Sequence, residues 1–269
     1  MNEYLVIKEQ KIEVRWHCLG LDENPTLVFL HEGLGCVDLW KDMPLKLSRM
    51  TQCNSFVFSR LGYGRSDGCK LPKKINFMHW EALTFLPAVL DAAGIKDHII
   101  LGHSDGGSMG IIYAGSSHAA NLKGLITEAA HIFCEPLTVD SIREAKNNFL
   151  GHDLKTKLEK YHGQNTKAAF WGWNDIWLSP GFMNWNIKKF LKHIRIPALG
   201  IQGRQDPYGT LEQLSAIKAG IQTCDIQIID NCGHSPHHEQ QKTVLALMAD
   251  FIRTLVAESA QSNSIKTKN

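Results

Sequence analysis

The sequence predicts an α/β fold: a mostly parallel sheet of eight strands with helices on both faces and a helical insertion. Three observations carry this. Short runs that are apolar on every side alternate with helical stretches through the first 130 residues. The rhythm then stops, and residues 133–190 hold no strand-like run. It resumes at Pro197–Gln202 (PALGIQ) and Asp225–Ile229 (DIQII). Alternation of this kind argues for helices packed on a parallel sheet, with the interruption as an insertion.

Taken in order, residues 3–8 and 12–18 read as two strands, a hairpin at the sheet edge. Thr26–Leu30 (TLVFL), Ser55–Ser59 (SFVFS) and His98–Leu101 (HIIL) read as central parallel strands. Between them lie helices at Trp40–Met50 and Phe77–Ala93, the second closed by Gly94. Gly124–Ala129 is the next strand. Helical pieces follow at about 137–149, 152–162, 164–177 and 184–192. The last helix covers about 238–257. Its Val244, Leu247, Met248, Phe251, Ile252 and Leu255 recur at helical spacing and make one buried face. The tail from 258 to 269 is polar, without apolar period, and is expected to be loosely ordered. The expected organisation is a core of 1–132 and 194–257 and a helical cap of 133–193. A cap encloses a pocket and excludes water.

Composition excludes several function classes. Lys+Arg is 29 against Asp+Glu 27, so no electrostatic reason favours nucleic acid or anionic lipid as partner. No apolar run approaches the length of a membrane span. The N-terminal MNEYLVIKEQ carries charges where a signal peptide needs an apolar stretch. Seven cysteines form no C-x-x-C pair, which reads as reduced thiols. The expected location is cytoplasmic.

Leu101-Gly102-His103-Ser104-Asp105-Gly106-Gly107 follows a strand and opens a helical run, the context of a nucleophile elbow, G-x-S-x-G. A serine at so sharp a turn takes a strained backbone. Side chains two before and two after it would collide, so Gly102 and Gly106 leave them out. Gly107 permits close packing of the helix on the sheet. A serine hydroxyl needs a base, and the base needs a group to hold its tautomer. Asp206 lies just past Pro197–Gln202 and His234 just past Asp225–Ile229. Both sit at carboxyl ends of strands, on the sheet edge that Ser104 shares. Asp230 is a rival acid, worse placed.

These residues, with His31-Glu32-Gly33-Leu34-Gly35 and Trp40, Arg60-Leu61-Gly62-Tyr63-Gly64-Arg65-Ser66-Asp67 and Cys232-Gly233-His234-Ser235-Pro236, resemble the α/β-hydrolase superfamily over nearly the whole chain. The chain looks most like small capped serine esterases of bacteria. The resemblance implies the α/β-hydrolase fold, a triad of Ser104, Asp206 and His234, and an oxyanion hole from the backbone N–H groups of Asp105 and Gly33. Glu32 stands where the family usually has glycine. It is expected to point away from the pocket and to pair with a cation, Arg60 and Arg65 being the candidates.

Ser104 as nucleophile implies acyl transfer through an acyl-enzyme. The expected function is a carboxylesterase on small to medium acyl esters, with a small-molecule ester or related carbonyl compound as partner. C–C hydrolysis of a ring-cleavage product and ligand binding on a hydrolase scaffold are the alternatives. No cofactor and no metal are expected: Cys232, His234, His237 and His238 lack the spacing of a structural zinc site. His103 is expected to pack under the turn, His31 to shape the oxyanion loop and Asp67 to form a turn. Residues 171–185 hold four of the seven tryptophans, Trp171, Trp173, Trp177 and Trp185. At least one is expected to line an apolar pocket. Oligomeric state is not legible in the sequence.

Overall fold

A computed structural model describes residues 3–266. Its eight strands are β1 (Glu3–Ile7), β2 (Gln10–His17), β3 (Thr26–Leu30), β4 (Ser55–Phe58), β5 (His98–His103), β6 (Leu122–Glu128), β7 (Ala198–Gly203) and β8 (Cys224–Ile229). They form one sheet in the order β1-β2-β4-β3-β5-β6-β7-β8. β1 and β2 form the antiparallel edge hairpin, β2 joins β4 antiparallel, and every later pairing is parallel. β5 runs two residues past the apolar run HIIL, because Gly102 and His103 still pair with Thr127 and Glu128.

Both sheet faces are covered, which explains strands apolar on every side. Leu27, Phe29, Val57, Ile99 and Leu101 face α1 (Met43–Thr51) and the last helix. Val28, Phe56, Phe58 and Ile100 face the other way. There they meet α2 (Phe77–Trp80), α3 (Leu86–Ala92) and α4 (Asp105–Ala114). A π-helical turn, Glu81–Phe85, joins α2 to α3, and Gly94 ends this segment with φ +67°.

Between β6 and β7 lie α5 (Pro136–Gly151), α6 (Leu154–His162), α7 (Thr166–Trp177) and α8 (Lys188–Leu191). This is the helical stretch expected from the missing strand rhythm. α9 (Leu211–Gly220) joins β7 to β8, and α10 (Pro236–Glu239) precedes α11 (Gln241–Lys266). His237 and His238 thus belong to a short helix of their own. α11 continues past Val256, and residues 267–269 of the expected tail lie outside the described residues. No helix among the described residues is long and apolar enough to cross a membrane.

β3 and β5 are neighbours although β4 lies on the far side of β3. The chain therefore leaves their carboxyl ends in opposite directions and opens a crevice, where ligands bind in open α/β sheets. Ser104 follows β5, and His31–Gly35 follows β3.

Candidate active site

Ser104 has φ +52° and ψ −116°, a strained conformation for a residue with a side chain. Its neighbours hold it there. Its N–H donates to the Glu128 carbonyl at 2.8 Å, and α4 begins at the next residue. The flanking glycines serve different contacts. A Cβ on Gly102 would lie 2.4 Å from the Gly106 carbonyl oxygen. A Cβ on Gly106 would lie 2.0 Å from the Leu30 carbonyl oxygen. The first glycine lets the turn close on itself, and the second lets it pack on β3. Gly107 lies against Ala130, whose Cβ would be 2.7 Å from a Cβ placed there.

The loops after β7 and β8 bring the other two side chains to this point. His234 Nε2 lies 3.0 Å from Ser104 Oγ. His234 Nδ1 lies 2.9 and 3.0 Å from the two Asp206 carboxylate oxygens. Asp206 Oδ1 also accepts the Tyr208 N–H at 2.8 Å. The rival Asp230 is paired with Arg204 at the surface. The His234 loop is held on both sides, since the Glu239 carboxylate accepts the N–H groups of Gly233 and Ser235 at 2.6 and 3.0 Å.

Electrostatics single out one imidazole. Burial works against a charged His234, but the Asp206 hydrogen bond and charge outweigh it and raise its pKa above the usual 6.5. Burial likewise opposes ionised Asp206, yet His234 holds it below the usual carboxylate range. His131, buried beside His234, is pushed down to about 3 by desolvation and by the charge on His234. His103 is also held well below 6.5, chiefly by burial. His103 and His131 are therefore neutral near pH 7, while His234 is basic and bonded to a hydroxyl. This arrangement can take a proton from serine and stabilise the cation that results.

Sequence reasoning missed a layer behind these residues. His103 Nε2 donates to the His234 carbonyl at 2.7 Å. His103 packs edge-on against His237, whose N–H donates to Glu128 Oε1 at 2.8 Å. The helical insertion is tied to the acid loop, because Thr138 and Ser141 on α5 donate to the carbonyls of Tyr208 and Pro207, each at 2.5 Å. Hydroxyls alone in a sequence carry no signal for such contacts.

The expectation for Glu32 is corrected. Its carboxylate pairs with neither arginine; Oε2 accepts the Leu34 N–H at 2.7 Å. Glu32 lines the cavity over Ser104. Arg60 instead donates to the Glu32 backbone carbonyl at 2.8 Å, and Arg65 pairs with Glu13 and Asp38. The two arginines lie on the loop after β4, where Arg60 Nε donates to His31 Nε2 at 3.3 Å and Arg65 pairs with Glu13 of β2. His31 Nδ1 lies 2.8 Å from the Glu32 carbonyl, so this side chain belongs to the loop's own bonding. Asp67 accepts the Lys11 N–H at 2.7 Å.

The cavity over Ser104 has a volume of about 480 Å³. Gly33, Asp105, Trp173 and Trp177 lie in its wall, together with Ile142 and Leu158 of the helical insertion. Trp173 packs directly on the β3 loop: a Cβ on Gly33 would lie 2.2 Å from its ring. Trp177 Nε1 donates to Asp105 Oδ1 at 3.2 Å. Trp171 and Trp185 are not in this wall. Trp171 packs on Phe149 and Phe170, and Trp185 stacks on Phe182 at 5.2 Å. Among the described residues no group of three or more His, Cys, Asp or Glu is arranged to hold a metal ion.

The model of the Alpha/beta hydrolase family matches residues 27–247. The chain belongs to the alpha/beta hydrolase family. Within that family it is 26% identical over 262 residues to "Putative esterase/lipase 1" of Mycoplasma genitalium, covering 87% of this chain and 94% of that protein. It is 22% identical over 279 residues to 2-hydroxy-6-oxononadienedioate/2-hydroxy-6-oxononatrienedioate hydrolase 2 of Pseudomonas putida, covering 94% and 96%. Among solved alpha/beta hydrolase structures, the proline iminopeptidase of Mycobacterium smegmatis superposes with a TM-score of 0.73 at 16% identity. That match covers 96% of this chain and 100% of the other.

Proposed function

We propose that this alpha/beta hydrolase is a serine carboxylic ester hydrolase acting on small to medium acyl esters through an acyl-enzyme. The observation that carries the reading is the continuous chain of hydrogen bonds from Ser104 Oγ through His234 to Asp206. Ser104 attacks the ester carbonyl while His234 Nε2 takes its proton. Asp206 holds the tautomer and stabilises the imidazolium. The backbone N–H groups of Asp105 and Gly33 receive the oxyanion, helped by the N-terminus of α4. His234 then gives its proton to the leaving alcohol. Water, deprotonated by His234, releases the acid and frees Ser104. Residues 133–193 act as the cap over this centre, and Trp173 and Trp177 of its α7 contact the substrate's apolar part.

A series of p-nitrophenyl esters of increasing acyl length tests this. Turnover that peaks at short or medium length and vanishes in Ser104→Ala is the expected result. A second reading is C–C hydrolysis of a ring-cleavage product, favoured by the Pseudomonas putida relative. Its dienolate substrates are coloured, so their bleaching with negligible ester turnover would select it instead.

A further inference from the structure

Two carboxyl side chains stand beside the two backbone N–H groups assigned to the oxyanion; burial raises the pKa of both, Asp105's to about 6, and the charge of Arg60 opposes that rise. Glu32 immediately precedes Gly33, and Asp105 itself carries the second N–H. Both residues line the cavity over Ser104. Glu32 is fastened by the Leu34 N–H and not by a cation. Asp105 is 1% exposed; its Oδ1 takes the Trp177 N–H, while its Oδ2 has no hydrogen-bond partner among the described residues. His131 Nδ1, on the same wall, is likewise buried without a partner. The charge of Arg60 acts on both acids, but its guanidinium hydrogen bonds go to the Glu32 backbone carbonyl, the His31 ring and Met109 Sδ. The lysines of the cavity wall, Lys157 and Lys160, are on α6, and Lys157 is paired with Asp153 at 2.6 Å.

A neutral acyl group gains nothing from this arrangement. Negative charge developing on its carbonyl oxygen would meet two carboxylates in a water-poor site, where such repulsion is strong. A substrate carrying its own cation next to the carbonyl turns the repulsion into attraction. The cation belongs close to the carbonyl carbon, because Glu32 directly precedes Gly33 and both line the cavity over Ser104.

We propose that Glu32, with Asp105 behind it, selects substrates whose acyl group bears a protonated amine on the carbon next to the scissile carbonyl, as an α-amino acid ester does. The ammonium donates to Glu32, and the buried Asp105 carboxyl behind it adds to the attraction. The apolar alcohol portion lies along Trp173 and Ile142. This inference rests on Ser104 being the nucleophile.

The test compares two phosphonates on the full chain: diphenyl 1-aminoethylphosphonate, and its uncharged isostere diphenyl isopropylphosphonate. In each, Ser104 Oγ forms a bond to phosphorus, one P–O bond to phenoxide breaks, and the serine proton leaves on phenol. The ratio of the two inactivation rate constants is divided by the ratio of their spontaneous hydrolysis rates at the assay pH, where the amine carries the same charge, which removes the intrinsic effect of the amino group. The expected corrected ratio is about tenfold or more in favour of the amine, in the range close charge pairs achieve. It should collapse in Glu32→Gln, which keeps the acceptor for the Leu34 N–H. The N-acetylated aminophosphonate, uncharged, should lose the advantage in the wild-type chain, so the result does not depend on any variant folding. A corrected ratio of one or below, or an equal advantage for the N-acetylated compound, overturns the inference. A neutral fluorophosphonate run alongside separates the two claims. Labelling of Ser104 without amine preference sinks the selectivity and leaves the hydrolase; no labelling sinks the hydrolase reading itself.

Discussion

His234 Nε2 and Ser104 Oγ lie 3.0 Å apart although 130 residues separate them in the chain. Two strand ends, β5 and β8, and a carboxylate from a third, after β7, converge to make that contact. Its loss should therefore be nearly complete when any one partner is removed. Ser104→Ala should lower kcat by about 10⁶, because the groups act as a unit. Asp206→Asn should lower it by about 10⁴ by favouring the wrong imidazole tautomer. Steady-state ester hydrolysis measures both, and a loss of less than about tenfold in either would contradict the assigned roles.

The pH profile follows from the direction of the His234 shift. His234 must be neutral to accept the serine proton, and Asp206 raises its pKa above 6.5 against the effect of burial. Activity should be full above that raised value. It should fall about tenfold per pH unit as pH drops through and below it. Asp206→Asn removes the charge that raises the pKa, so the acid limb of its residual activity should move to lower pH. The logarithm of kcat/KM against pH, for both proteins, reads this directly. A limb that does not move would assign the titration to another group.

Gly33 is predicted to tolerate no side chain. A Cβ there would lie 2.2 Å from Trp173 Cδ1, and Trp173 is packed between the β3 loop and Phe170. Gly33→Ala should displace the loop and cost about 10²–10³ in kcat, the usual effect of losing one oxyanion donor. Unchanged kcat in a folded Gly33→Ala protein would remove Gly33 from the oxyanion hole.

The tryptophans should separate into two classes. Trp177 is 1% exposed and lines the cavity, so Trp177→Ala should destabilise the fold by about 3–5 kcal/mol and extend the range of accepted acyl chains. Trp171→Ala removes edge-to-face contacts with Phe149 and Phe170 and should leave the chain-length profile unchanged. Urea denaturation and an ester series on both variants decide it; an altered profile in Trp171→Ala would contradict the placement.

The central strands were legible because each is buried on both faces, which writes an apolar run into the sequence. TLVFL matches β3 residue for residue. The positions of Ser104, Asp206 and His234 were legible because a turn after an apolar run has to lie at a strand's carboxyl end. The tryptophans illustrate what was not. Trp173 and Trp177 are four residues apart on one face of α7, whereas Trp171 is two residues from Trp173 and points elsewhere. Helical spacing sorts them into faces, but which face meets the cavity is set by how α7 lies on the β3 loop. Glu32 was misread for a similar reason. Nearby arginines suggested an ion pair, but a backbone N–H two residues on was closer, and Arg60 was already bonded to His31. Local hydrogen bonding settled the side chain before long-range charge acted on it.

The central claim is that His234 and Asp206 activate Ser104. The most direct test is labelling of the wild-type chain with a fluorophosphonate probe beside Ser104→Ala, with the modified peptide mapped by mass spectrometry. The account predicts a single adduct on Ser104 and none in the variant. An unlabelled wild-type chain, or an adduct that persists in Ser104→Ala, would contradict it.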